Sequence, residues 1–211
     1  MSLEIDHIFC FCDSTLSEVQ ILESNGFVLT TGRKHQGQGT ANRSVVFEAN
    51  YLELIYLNSE AEALLNPLQM HLRANWKVTG ASPFGIALRG DISAQDLSQF
   101  WNYNPPYNPT AIIKMHRFSK DRPEFPLLFV MPSSNDNFPT NVRFKDFLSH
   151  KSESTNITKI KIETPFPEWP LSIEIKGLNF EKKLNHRMEL HINGDIPNII
   201  QLNELLSLTK S

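Results

Sequence analysis

The sequence contains little cysteine. Its two cysteines, Cys10 and Cys12, lie two residues apart, so in a strand both point to one face, which is a poor geometry for a mutual disulfide. Because there is no second cysteine pair, cysteine alone cannot complete a metal site of the CxC type. We therefore expect reduced, packed thiols in a reducing compartment.

The sequence also lacks a long apolar run and an excess of basic charge. No stretch approaches the roughly 18 to 20 apolar residues of a membrane helix, and Glu4 and Asp6 stand where a secretory signal peptide would be basic. The net charge of −3, without a stripe of Lys and Arg, disfavours nucleic-acid binding. We expect a cytoplasmic protein whose partners include neither a membrane nor a nucleic acid.

The periodicity of apolar residues predicts two similar halves. A chain of 211 residues suffices for one large domain or two small lobes. A strand and a helix that ends at Asn25-Gly26 are followed by three strands, and a similar order begins again at Phe84. The predicted strands cover residues 4–12, 27–30, 44–48, 51–57, 84–90, 111–118 and 126–132. Further helices are predicted over 59–73, with an interruption at Pro67, and over 91–101.

The last third of the chain predicts more strands. Apolar and polar residues alternate over 156–165, and two similar segments cover 171–183 and 187–194. The segment DIPNIIQLNELLSL (195–208) is interpreted as a closing amphipathic helix. The chain is thus expected to be an α+β protein with curved, mixed or antiparallel sheets. Its predicted divisions are a first module with a helical connection (1–75), a second, degenerate module (76–148) and C-terminal strands with a closing helix packed on the same fold (149–211).

Two strands predicted to be largely buried each carry one polar residue on an apolar face. Alternation places His7 with Ile5, Phe9 and Phe11, and it places Glu53 with Tyr51, Ile55 and Leu57. An unpaired carboxylate on an apolar face would cost several kcal/mol, so Glu53 needs a partner, and His7 is the natural candidate. The two residues either face a common cavity and bind a divalent metal, or form a structural, hydrogen-bonded pair.

Three segments together resemble the vicinal oxygen chelate superfamily, and within it the glyoxalase-like domain branch. They are IDHIFCFCD, GRKHQGQGTANRSVVFE and YLELIYL, and the later FGIALRGD and PLLFVMP resemble a second module. The resemblance implies paired βαβββ modules that curve around a cup-shaped site. It further implies that His7 and Glu53 bind one divalent ion (Zn, Ni, Fe or Mn), with Glu53 also serving as a catalytic proton acceptor.

The second module departs from the family pattern. The position that corresponds to His7 falls near Phe84 or Gly85, and PLLFVMP carries no carboxylate. A third metal ligand would have to come from elsewhere, and the candidates are His35, His116, His150 and the pair Glu189 and His191.

The polar loop before the third strand offers groups for substrate binding. His35, Gln38, Asn42 and Arg43 provide donors and acceptors, and Asn42 and Arg43 are expected to point inward. The alternative is a surface loop with ordinary turn chemistry.

The resemblance implies an enzyme for a small molecule, with isomerase, lyase or dioxygenase chemistry. The missing second-module ligands favour an alternative, a metal-free protein that binds or sequesters a small molecule. Its cup would have aromatic walls, formed by Phe9, Phe11, Trp76, Phe84 and Trp101. A third possibility is an interaction module whose cup is filled by its own side chains. A homodimer is a further expectation.

Overall fold

The computed structural model describes residues 3–13, 17–132, 142–172 and 174–211. The strands are β1 (Glu4–Phe11), β2 (Arg33–His35), β3 (Thr40–Val46), β4 (Tyr51–Leu57), β5 (Phe84–Arg89), β6 (Phe100–Tyr103), β7 (Ile113–His116), β8 (Leu127–Val130), β9 (Ile157–Thr164), β10 (Leu178–Lys182), β11 (Arg187–Ile192), β12 (Ile199–Gln201) and β13 (Leu206–Lys210). The α-helices are α1 (Ser17–Ser24), α2 (Glu60–Leu65), α3 (Met70–Ala74), α4 (Trp76–Thr79) and α5 (Phe118–Asp121), and 3-10 helices cover Leu97–Gln99 and Val142–Phe147.

The first two thirds of the chain form one mixed sheet from two modules with similar strand pairing. Its strand order is β2-β3-β4-β1-β5-β8-β7-β6. In each module the first and last strands pair in parallel, β1 with β4 and β5 with β8, and β1 joins β5 antiparallel at the centre. The predicted α+β fold of paired modules with curved sheets is therefore confirmed.

Two predicted elements of these modules differ from the structure. Residues 27–30 do not form a strand, and Leu29 makes a single bridge to Val45, whereas β2 lies a few residues later. The helix predicted over 91–101 is reduced to a 3-10 turn, after which β6 begins at Phe100, opposite His116 of β7. The β-favouring aromatic residues Phe100 and Trp101 explain why the chain turns into a strand here.

The C-terminal segment forms a second sheet of order β10-β9-β11-β13-β12. The predicted closing helix is wrong, because residues 195–208 contain β12, a turn and the start of β13. Asn203 stabilises the turn, since its Oδ1 accepts hydrogen bonds from the amides of Leu205 and Leu206 at 2.8 and 2.9 Å. The central strand position of β13, between β11 and β12, outweighs the helical spacing of its leucines.

The two sheets share one hydrophobic core. Ile8 and Cys10 of β1 belong to the same buried cluster as Leu190 of β11 and Leu208 of β13. His150 supports this arrangement from the connecting segment, because its Nδ1 accepts from the Val28 amide at 3.0 Å and its Nε2 donates to the Val46 carbonyl at 2.9 Å. The other face of the first sheet is therefore left to form a cavity. Among the described residues, no helix has the length and apolar character needed to cross a membrane.

We predict that acid destabilises the junction between the two sheets. Burial lowers the pKa of His150 and of His186, whose Nε2 donates to the Gly80 carbonyl. Because both folded-state pKa values lie below the ordinary value of 6.5, the unfolded chain binds more protons as the pH falls below 6.5, and the free energy of unfolding decreases. Urea denaturation at a series of pH values should show this decrease. The His150→Gln variant should have a shallower dependence, and an unchanged slope would contradict the assignment.

Candidate functional site

The curved face of the first sheet encloses a cavity of about 390 Å³. Both modules line it, and one half is mostly polar while the other is mostly apolar. Polar lining residues from the first module are His7, Arg33, His35, Gln38, Asn42, Ser44, Tyr51 and Glu53. The apolar lining residues include Met70 of α3 and, from the second module, Ile113, Met115, Leu127, Phe129 and Met131.

A β-bulge in β1 places two neighbouring side chains side by side. The register between β1 and β5 shifts between Ile5 and His7, so Asp6 is an extra residue in the strand. Neighbours on a regular strand point to opposite faces, but a bulge re-aims them. As a result Asp6 Oδ1 lies 2.6 Å from His7 Nδ1, and both side chains are buried. The bulge also changes the face expected for Ile5, which packs against the core between the sheets instead of joining Phe9 on the cavity side.

Glu53 is held opposite His7 in the cavity. His7 Nε2 lies 3.8 Å from Glu53 Oε2, while Glu53 Oε1 accepts a hydrogen bond from Asn42 Nδ2. Asn42 is oriented in turn by the backbone amide of Arg33, which donates to Asn42 Oδ1 at 2.8 Å. Glu53 is only 7% exposed. The structure thus brings His7, Glu53 and Asn42 together and adds Asp6, which the sequence analysis missed because strict alternation would turn it away.

The polar loop that was proposed to bind substrate is ordered by hydrogen bonds. Gln38 Nε2 donates to Thr40 Oγ1 at 3.0 Å, and Thr40 Oγ1 also bonds His35 Nδ1 at 3.0 Å. Gln38 Oε1 accepts from the Tyr103 hydroxyl at 3.2 Å. These contacts link β2 and the loop after it to β6, and β2 and β6 are the two outer strands of the sheet. Burial lowers the pKa of His35, an effect that the charge of Glu53 partly offsets.

Residues 104–112 complete the mouth of the cavity. Tyr107 stacks on His35 with ring centres 4.7 Å apart, and the Arg33 guanidinium lies over the same Tyr107 ring, 4.9 Å from its centre. Gly37 (φ +76°) approaches Pro106 so closely that a Cβ would lie 2.6 Å from its ring. Burial raises the pKa of Tyr107, with the Glu53 carboxylate as a further cause. The loop therefore supplies a neutral phenol to the wall of the cavity.

Arg43 was expected to bind substrate, but it does not line the cavity. Its Nε donates to the Thr30 carbonyl and its guanidinium lies 3.7 Å from Glu23 Oε1, away from the cavity. Asn42 and Arg43 were both expected to point inward, but adjacent residues of a regular strand face opposite sides. Because Asn42 and Ser44 line the cavity, Arg43 of the same strand cannot.

The half of the cavity formed by the second module offers hydrocarbon where the first module offers His7 and Glu53. Ala87 lies opposite His7 in the β1–β5 pair, and Phe129 of β8 pairs with Ala87. Gly85 is covered by the Phe9 ring, because a Cβ there would lie 1.9 Å from Phe9 Cε1. Of the aromatic walls expected for a binding protein, only Phe9 lines the cavity; Phe11 packs behind it, and Trp76, Phe84 and Trp101 lie elsewhere.

A profile of the glyoxalase-like domain family matches residues 5–169, which is most of the chain. This chain belongs to the glyoxalase-like domain family. The match includes both modules and β9, whereas β10 to β13 lie beyond it. The resemblance stated from the three sequence segments is confirmed.

Comparison with solved structures supports the fold over the whole length. A hypothetical protein from Staphylococcus aureus superposes with a TM-score of 0.64 at 13% identity and covers 100% of both chains. Methylmalonyl-CoA epimerase from Mycobacterium tuberculosis covers 61% of this chain and 86% of its own, with 13% identity and a TM-score of 0.40. A methylmalonyl-CoA epimerase in complex with methylmalonyl-CoA and NH4+ covers 63% and 97%, with 13% identity and a TM-score of 0.38. The two epimerases are too distant to support a functional conclusion. No curated protein matches the chain.

A divalent metal does not fit the donors of this glyoxalase-like site well. In the described part of the chain, no group of three His, Cys, Asp or Glu side chains could hold a metal ion. Of the candidate third ligands, His116 accepts from the Phe118 amide, His150 supports the sheet junction, and Glu189 bonds His191 on the C-terminal sheet. Only His35 lines the cavity, and it does not converge with His7 and Glu53. Two protein ligands would leave a metal weakly held.

We predict that one substitution creates the missing ligand. The Phe129 ring lies 5.6 Å from the His7 ring and lines the cavity, so Phe129→Glu would place a carboxylate beside His7 and Glu53. Titration calorimetry with Zn²⁺ should show weak binding by the native protein and binding at least about tenfold tighter by this variant. Phe129→Gln is the matched control and should show no gain, and His7→Ala should remove the gain. Stoichiometric metal in native protein purified without chelator would contradict the prediction.

Proposed function

We propose that this glyoxalase-like protein is an enzyme for a small molecule in which Glu53 accepts a proton from the substrate. The observation that carries the proposal is the buried gap between Glu53 Oε2 and His7 Nε2, which measures 3.8 Å and opens to the cavity. A substrate donor placed at this gap would contact both groups. General-base catalysis requires such contact within hydrogen-bond distance.

The residues around Glu53 have positioning roles in this proposal. Asn42 Nδ2 fixes Oε1, which leaves Oε2 turned toward His7. Asp6 accepts a hydrogen bond from His7 Nδ1 and so holds the ring with Nε2 toward the gap. Fixed donors and a buried carboxylate avoid reorganisation when the proton moves. Glu53 is the catalytic residue, Asp6 acts through His7, and Asn42 both positions Glu53 and lines the cavity.

The remaining lining residues support binding of the substrate. We propose that His35, Gln38 and Asn42 contact its polar groups, and that Phe129 and Leu127 hold its apolar portion. Because the donor set does not suit a tightly held metal, proton transfer by side chains, as in isomerase and lyase reactions, is the favoured chemistry. The metal role of His7 and Glu53, and dioxygenase chemistry, have less support.

We also propose that the protein is located in the cytoplasm. Cys10 and Cys12 are free thiols, and the hydrogen bond to Cys10, together with burial, raises the pKa of Cys12. Unreactive, reduced thiols suit the cytoplasm. The homodimer stays a prediction.

The proposal is tested with a small-molecule cell extract as the probe. We expect the native protein to deplete at least one compound and to form another, as measured by mass spectrometry. The Glu53→Gln variant should slow this conversion by at least about 100-fold, because it keeps the shape but loses the proton acceptor. Glu48→Gln, at an exposed position between β3 and β4, is the matched control and should convert at the native rate.

The second candidate is a binding protein that leaves its ligand unchanged. It is favoured by the apolar half of the cavity, where Leu127 and Phe129 stand opposite the polar half. In the same experiment, retention of a compound without conversion would reject the enzyme and support the binding protein.

A further inference from the structure

We propose that the cavity accepts a small organic cation, a protonated amine that carries an apolar substituent. The inference rests on the proposed function and names the chemical class of the donor that meets Glu53. Its basis is the charge of the cavity, the unused acceptor at its polar end and the composition of its walls.

Within the described residues, the polar end of the cavity carries more negative than positive charge. Asp6, His7 and Glu53 together have a net charge of −2 when the imidazole is neutral and −1 when it is protonated, so the sign is the same in either state. Among the described residues that line the cavity, Arg33 is the one Arg or Lys. Its side chain is exposed at the mouth, where it donates to the Tyr107 carbonyl at 3.3 Å and lies over the Tyr107 ring.

Glu53 presents an acceptor for which the described part of the chain supplies no close donor. Its Oε1 is bonded to Asn42, but Oε2 lies 3.8 Å from His7 Nε2, beyond hydrogen-bond distance. When His7 Nδ1 donates its hydrogen bond to Asp6 in the neutral imidazole, the lone pair of Nε2 also points to this gap. Two converging acceptors on a buried surface suit a group with several N–H donors and a positive charge, which describes an ammonium.

The walls beside this gap suit the carbon substituents of such a cation. The rings of Tyr51 and Phe129 flank His7, with centres 4.2 and 5.6 Å from the imidazole centre, and both line the cavity. Aromatic faces attract ammonium groups, and the thioethers of Met70 and Met115 provide adaptable apolar contacts. A carboxylate beside aromatic rings, facing the apolar half of the cavity, therefore selects charge at one end of the ligand and hydrocarbon at the other.

Four compounds that share a phenyl ring with one attached carbon test whether the cavity prefers a cation. Their binding is measured by titration calorimetry at neutral pH. They are benzylamine, benzyltrimethylammonium, benzyl alcohol and benzoate. We expect benzylamine to bind at least about tenfold more tightly than benzyl alcohol, with benzoate weakest. Benzyltrimethylammonium should fall between them, because it keeps the charge but has no N–H to donate. Equal binding of amine and alcohol by the native protein, or tightest binding of benzoate, would overturn the proposal.

Variants then assign the preference to Glu53. Glu53→Gln should reduce the ratio between amine and alcohol to within about threefold, whereas Glu48→Gln should keep the native ratio. A native ratio retained in Glu53→Gln would also overturn the proposal. Conversion of an extract compound without any preference for amines would reject the cationic ligand but leave the proposed enzyme function. A Glu53-dependent preference for the amine without conversion would reject the enzyme function but leave the cationic ligand.

Discussion

The central strand β1 is the constraint on which the rest of the molecule depends. It pairs with β4 of its own module and with β5 of the other, so it joins both halves of the sheet. One of its faces contributes Ile8 and Cys10 to the core between the two sheets, and the other contributes His7 and Phe9 to the cavity. Moving β1 by one residue would exchange these faces and remove both the core and the site.

The bulge in β1 has a functional consequence that regular pairing could not give. It allows Asp6 and His7, neighbours in sequence, to bond each other, and the imidazole is thereby aimed at Glu53. Asn42 supports Glu53 from the opposite side on β3. The polar groups consequently form a chain that is complete within the first module, while the second module contributes shape and hydrocarbon.

The parts of the site that could be predicted are those that follow from local alternation. His7 and Glu53 were identified because each interrupts an apolar face, and the polar segment that runs from β2 into β3 directed attention to His35, Gln38 and Asn42. Arg43 was wrongly expected to point inward because its chemistry was considered without the alternation of the strand. It follows Asn42 in β3, so its side chain faces the opposite side of the sheet. Asp6 was missed because a bulge has no clear signal in a single sequence, since it is decided by pairing with β5.

The sequence by itself determined the α+β class, the recurrence of two modules, the faces of β4 and those of β1 from His7 onward, because these depend on periodicity and on the turns between elements. The tertiary structure decided the bulge at Asp6, the strands β12 and β13 in place of a helix, and the apolar half of the cavity. Leucines of the last segment fit either a helix or a strand, and their pairing with β11 selects the strand. Such choices depend on hydrogen bonds and packing between residues far apart in the chain, and local preferences do not contain them.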